Sequence, residues 1–211
     1  MALKAVFIDE LLYGGAKGGG KTAYLILLFL MFLDRGYGAE WKMLIVRPTI
    51  PQLREIISRC HKFFTELGLE YDYNKQEKVF TFPDGETLHL AGVETSDDAR
   101  KFNGFEFACV GIDEVGEYKD YGVINILRGT LRGTKFPYPM LRLTANPGGA
   151  SHSILKTIFV DPAPDGFTPL YARIDEETGD IQMYLSEEEA KTSSNQKERP
   201  RRFMYIPAKL E

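Results

Sequence analysis

Two periods of apolar residues alternate along this chain. Short, almost wholly apolar runs at residues 11–13, 42–46, 107–112 and 140–144 predict strands; the run at 107–112 in particular suits a parallel sheet covered on both faces. Between them lie segments with helical spacing. Residues 23–33 predict one helix. Leu53, Ile56, Ile57, Cys60, Phe63, Phe64 and Leu67 predict a second, with Pro51 in its first turn and Gly68 as its stop. A third is predicted over 122–132. Residues 78–82 and 86–90 flank Pro83-Asp84-Gly85, which reads as a hairpin. Strands alternating with helices predict an α/β fold built on a mainly parallel sheet.

The pattern changes after about residue 161. Asp161-Pro162-Ala163-Pro164-Asp165-Gly166 reads as a loop or boundary. Residues 169–174 and 181–185 predict a further hairpin around 178–180. The stretch 186–202 is strongly polar and reads as mobile, solvated surface, running from Glu187-Glu188-Glu189 to Lys197, Arg199, Arg201 and Arg202. A DNA or subunit contact is the sharper alternative for it. This divides the chain into a core, 1–160, and a C-terminal hairpin with a lid-like or linker-like segment, 161–211.

Three motifs fall on the edges of the predicted strands. The first is Gly15-Ala16-Lys17-Gly18-Gly19-Gly20-Lys21-Thr22, between the strand at 11–13 and the helix at 23–33. It fits the phosphate loop G-x-x-x-x-G-K-[ST]. Its glycines let backbone N–H groups turn toward phosphates, and the helix N-terminus adds its dipole. Lys21 is placed to reach the β- and γ-phosphates and Thr22 to ligate Mg²⁺. The second motif is Asp113-Glu114, directly after the apolar strand 107–112. That strand end is where open α/β sheets bind ligands. The aspartate suits Mg²⁺, and the glutamate suits a base acting on water. A hydrolase activates water whereas a small-molecule kinase excludes it, so the pair favours an ATPase. No Asn-Lys-x-Asp guanine-reading motif is present. The third is Leu143-Thr144-Ala145-Asn146-Pro147-Gly148-Gly149. It is either an ordinary turn or a strand end that presents an amide to the γ-phosphate.

Composition narrows the reading a little. The 211 residues suffice for one α/β domain, and 26 basic against 30 acidic residues give a net charge of −4. That argues against a generic basic nucleic-acid binder, though not against a local DNA track. The two cysteines, Cys60 and Cys109, have no zinc spacing and suggest no disulfide framework, which fits a reducing cytosolic setting. The apolar run 23–33 is too short to span a bilayer.

Taken together and in order, residues 14–22, 110–114 and 143–149 resemble the ATPase domain of tailed-phage terminase large subunits, the motors that package viral DNA. Ile45-Val46-Arg47-Pro48-Thr49 with Leu53, Phe82-Pro83-Asp84-Gly85, residues 101–107 and residues 202–210 resemble the same family. The resemblance implies an additional-strand, RecA-like P-loop fold. It makes Gly15, Ala16, Lys17, Gly18, Gly19, Gly20, Lys21 and Thr22 the nucleotide-binding loop. Thr22 and Asp113 become the metal side and Glu114 the catalytic base. Thr144, Ala145 and Asn146 become the coupling motif, with Asn146 counted among the catalytic groups. ATP and Mg²⁺ are the implied cofactors. Double-stranded DNA, a homo-oligomeric ring, a portal protein and a small terminase subunit are the implied partners. The implied setting is the host cytoplasm beside a viral procapsid, away from membranes.

The chain departs from the family pattern in three places. Lys17 stands where many members carry an arginine finger inside the loop, and lysine lacks the planar fork of a guanidinium. The finger is then Lys17 itself or an arginine from a neighbouring subunit, with Arg47, Arg100, Arg128 and Arg132 as candidates. Only about a dozen residues precede the loop, so the adenine-contacting segment has no clear counterpart. No downstream carboxylate cluster matches the family's nuclease domain, so no nuclease activity is expected. The expected function is an ATP-hydrolysing packaging motor. The alternatives are a helicase- or recombinase-like DNA-dependent ATPase and a nucleotide-binding assembly module with little turnover.

Overall fold

The computed structural model describes residues 5, 7–16, 18–133, 136–175, 178, 180–192 and 199–208. Lys17, Gly179, Lys197 and the last residues of the 202–210 match lie outside them. Among the described residues ten strands form one mixed, mostly parallel sheet flanked by helices, as expected.

In chain order the elements are β1 (Glu10–Gly15), α1 (Lys21–Met31), β2 (Lys42–Arg47), α2 (Ile50–Glu66), β3 (Asp72–Asn74), β4 (Val79–Thr81) and β5 (Thr87–Gly92). They continue as α3 (Ser96–Arg100), β6 (Cys109–Ile112), α4 (Gly122–Arg128), β7 (Met140–Ala145) and α5 (His152–Leu155). The last are β8 (Leu170–Ile174), β9 (Ile181–Tyr184), α6 (Glu187–Thr192) and β10 (Arg201–Ala208). The strand order is β3-β4-β5-β2-β6-β7-β1-β10-β8-β9. The central six, β5 to β10, run parallel; β3-β4 and β8-β9 add antiparallel edges.

Alternation at period two covers both faces. Leu11, Met43, Ile45, Cys109 and Met140 point to one core, where Leu25 and Phe29 of α1 and Leu53, Ile56, Cys60 and Phe64 of α2 meet them. Leu12, Leu44, Val46, Val110, Ile112, Leu141 and Leu143 point to the other, against Val123, Ile124 and Leu127 of α4 and Phe159. This two-sided burial is why the strands read as continuous apolar runs.

Two expectations need correction. The helix predicted over 122–132 ends at Arg128: Gly129 caps it, and Leu131 then bridges Phe107. In the polar stretch 186–202 the described residues, 186–192 and 199–202, are not simply solvated. Residues Glu187–Thr192 form α6, fastened by Arg173 Nε donating to the Ala190 carbonyl at 2.9 Å. Arg199 grips Asp9 with two hydrogen bonds of 2.7 Å, and Arg201 donates to Glu10 at 3.0 Å. Burial of Asp9 favours its neutral form, but the hydrogen bonds and charges of Arg199 and Arg202 prevail and hold its carboxyl below the usual range. The end of the segment expected as a lid therefore returns to the centre of the sheet, with β10 in register beside β1 from Glu10↔Phe203 to Gly15↔Ala208.

Candidate active site

Parallel strands place their C-terminal ends along one edge, and the three motifs meet there. The loop after β1 turns through Gly15, Gly18 and Gly20, with φ of 127°, 84° and 68°, a region that favours glycine. Gly15 has a second reason to lack a side chain: a Cβ there would lie 2.4 Å from the Ala208 carbonyl oxygen. The Ala16 N–H donates to that same oxygen at 3.0 Å, and the Tyr13 hydroxyl donates to the Gly19 carbonyl at 2.7 Å. Lys21 opens α1, and its Nζ donates to the carbonyls of Gly15 and Ala16. Its burial lowers the ammonium's pKa, while Asp113 and Glu114 pull the other way.

The facing wall comes from β6 and β7, adjacent in the sheet. Asp113 accepts from the Thr22 hydroxyl at 2.8 Å through Oδ2 and from the Thr144 hydroxyl through Oδ1. Thr144 Oγ1 in turn accepts from the Glu114 N–H at 3.2 Å. Glu114 itself sits in the left-handed region at φ 57°, ψ 41°, unusual for a residue with a side chain. Burial, then the hydrogen bond and charge of Glu117 and the charge of Asp113, push the Glu114 carboxyl up to about 7, against the opposing pull of Arg47. A carboxylate so tuned suits a general base near neutral pH.

Hard oxygen donors at Thr22 and Asp113 fit a magnesium ion. Their oxygens are 2.8 Å apart, close to the about 3.0 Å edge of an octahedron with bonds near 2.1 Å. Together the groups line a cleft of about 620 Å³ that includes Gly18 to Thr22, Asp113, Glu114 and Thr144 to Gly149. Lys17 lies outside the described residues.

Arg47 was expected as one of several possible fingers for a neighbour. Instead it is enclosed in its own chain's cleft, 4% exposed. Its Nε and Nη2 both reach Asp113 Oδ2, at 2.8 and 2.7 Å, and Nη2 donates to Thr22 Oγ1 at 3.0 Å. Arg128 is also enclosed, paired with Glu10 at the opposite end of β1 from the loop. Both are thus engaged within their own chain. Arg100 and Arg132 are exposed; the first pairs with Asp97 and the second lies 3.6 Å from Glu106. The sequence reading missed Gln52, Glu55, Arg59 and Glu117. The first three share one polar face of α2 at spacings of three and four. Glu55 and Arg59 line the cleft, and Gln52 donates to Glu117 at 3.3 Å. That polar stripe was the available signal.

A phosphate loop leading into a helix, with an Asp-Glu strand end separated from it by one intervening strand, defines a P-loop nucleotide-binding domain of the additional-strand type. The chain belongs to the terminase large subunit family: the model of the T4likevirus-type N-terminal region matches residues 12–131. Among solved structures it is similar to the large terminase of a thermophilic bacteriophage, with 18% identity and a TM-score of 0.59, over 77% of this chain and 39% of that one. A structure of the same phage terminase in complex with ATP-gamma-S matches at 20% identity and a TM-score of 0.56, over 75% of this chain and 37% of that one. The N-terminal domain of the bacteriophage phi29 DNA packaging ATPase matches at 14% identity and a TM-score of 0.51, over 68% of this chain and 75% of that domain. The chain thus spans about two fifths of the thermophilic phage's terminase. Among curated proteins none matches. No helix among the described residues is long and apolar enough to cross a membrane.

Proposed function

We propose that this chain is a Mg²⁺-dependent ATPase that drives phage DNA packaging, coupling hydrolysis to translocation of double-stranded DNA into a procapsid. The observation that carries the reading is the convergence of Lys21, the Thr22–Asp113 pair and Glu114 on one cleft. Lys21 and the loop N–H groups hold the β- and γ-phosphates. Thr22 and Asp113 hold the metal, which when bound supplies charge neutralisation at the phosphate oxygens. Glu114 orients the attacking water and takes its proton. Thr144 links Asp113 to the Glu114 backbone, and Asn146 stands at the cleft-lining end of β7. Thr144, Ala145 and Asn146 are therefore suited to pass the state of the γ-phosphate to the sheet.

The family supports a ring of subunits at a portal, with a small terminase subunit as a further partner, in the host cytoplasm. Of the four candidate arginines, Arg100 and Arg132 are the exposed ones, each with only a surface carboxylate partner, and so suit service to a neighbour; Lys17 is the alternative within the chain. Single-turnover and steady-state phosphate release test the chemistry. Glu114→Gln should keep nucleotide binding and lose about 10²–10⁴-fold in turnover. Lys21→Ala should weaken both. Near-normal turnover by Glu114→Gln refutes the assignment.

A further inference from the structure

Asp113 Oδ2, the carboxylate oxygen beside Thr22, is fully taken up. Oδ2 accepts from Thr22 Oγ1 and Arg47 Nε, with Arg47 Nη2 in ion-pair contact at 2.7 Å, and Oδ1 accepts from Thr144 Oγ1. Each carboxylate oxygen offers about two lone-pair sites, so the two donors on Oδ2 fill the oxygen that stands beside Thr22. A metal ion, or a water bound to one, needs one of these sites. Thr22 and Thr144 are neutral and keep their places without electrostatic conflict. Arg47 carries a positive charge, and its Nη2 touches both metal-side oxygens, at 2.7 Å to Asp113 and 3.0 Å to Thr22. Two cations crowded onto one buried carboxylate repel strongly where water screens them poorly. Arg47 is therefore the donor that must yield.

A second carboxylate stands ready to receive it. Arg47 Nη1 lies 3.5 Å from Glu55 Oε2 on α2. Glu55 is half exposed and at present bound by Arg59, at 2.7 Å. Nη1 also donates to the Gln52 carbonyl at 3.3 Å, which anchors the guanidinium at the start of α2 during such a turn.

We propose that Arg47 is a positioning residue that exchanges between Asp113 and Glu55, leaving Asp113 when the divalent cation loads and returning when it departs. This rests on the reading of Thr22 and Asp113 as the metal pair. Metal loading then reaches α2 directly: Glu55 gains Arg47 and loosens its hold on Arg59, which lines the cleft. A purely structural Arg47–Asp113 pair has no such link to the metal.

The test is the ratio of fluorescent-ADP affinities with excess Mg²⁺ and with EDTA, alongside a thermal melt to confirm folding. Arg47→Gln removes the competitor and should raise the ratio about tenfold, within the ordinary range of coupling between two ligands. Glu55→Gln, at an exposed helix position, weakens the alternative partner and should lower it. Thr22→Val and Asp113→Asn should bring the ratio to near one. If they do and Arg47→Gln leaves the ratio unchanged or lower, the exchange is wrong and the metal reading stands. If they leave it at the wild-type value, the metal reading fails and the exchange with it. Should Arg47→Gln not fold, an unchanged ratio in Glu55→Gln overturns the exchange.

Discussion

Glu10 and Arg128 form a two-pronged ion pair sealed under the start of β1, with Nε to Oε1 at 2.7 Å and Nη2 to Oε2 at 2.9 Å. The pair is asymmetric, because Glu10 also holds Arg201 at 3.0 Å. Removing the carboxylate takes the counter-charge from both guanidinium groups and leaves Arg128 only the neutral oxygens of Asn125 and Tyr121, whereas removing Arg128 leaves Glu10 one partner. Glu10→Gln should therefore destabilise the fold by about 3–5 kcal/mol. Arg128→Met should cost clearly less. Urea unfolding of both variants checks the order, and equal or reversed losses would show that Arg201 does not share the charge.

Glu114 trades stability for aim. Its left-handed backbone costs about 1–2 kcal/mol in an L-residue, which glycine escapes, less about 0.5–1 kcal/mol for its freer unfolded chain. Glu114→Gly should thus be inactive yet more stable by up to about 1.5 kcal/mol, with Glu114→Ala gaining less. A lower midpoint for Glu114→Gly than for Glu114→Ala would remove strain from the account.

Acid should weaken the fold through His89. Burial, then the charge of Lys42, lowers its pKa to about 4 from 6.5. As pH falls through that window the unfolded chain takes up a proton that the folded protein refuses. Stability then drops with falling pH, by up to about 1.4 kcal/mol per unit. His89→Gln should flatten the profile between pH 7 and 5 in denaturant melts. An unchanged slope would place the sensitivity elsewhere.

A finger supplied by a neighbour would make turnover rise more than linearly with protein concentration. Arg100→Ala or Arg132→Ala mixed with Glu114→Gln should then regain activity, since one subunit brings the intact base and the other the intact arginine. The contribution of such a finger is about 10³–10⁵-fold. Strict proportionality, with no recovery in any mixture, points to Lys17.

The central strands and the three motifs were legible because two-sided burial and phosphate chemistry each leave a local signature. α3 was legible in principle: Thr95 and Asp98 form a capping box, a signal passed over in the sequence. Arg47 was not, because no local pattern distinguishes a guanidinium folded into its own cleft from one offered outward. The position of β10 was equally hidden. Arg201 and Arg202 look like surface charge until Asp9 and Glu10, near the other end of the chain, are seen to neutralise them.

That placement of β10 has a consequence for how the protein comes to exist. Asp9 and Arg199 meet across 190 residues of chain, and β1 is flanked by β7 and β10, both made much later. During synthesis the strand that carries the phosphate loop emerges with both edges open. It must wait until β10 has been made before Ala208 can seat against Gly15 and Ala16. Pairings this distant in sequence fold slowly and leave apolar strands exposed meanwhile. The loop is thus made well before it is shaped, so a chain cut short before β10 should lack a working phosphate grip.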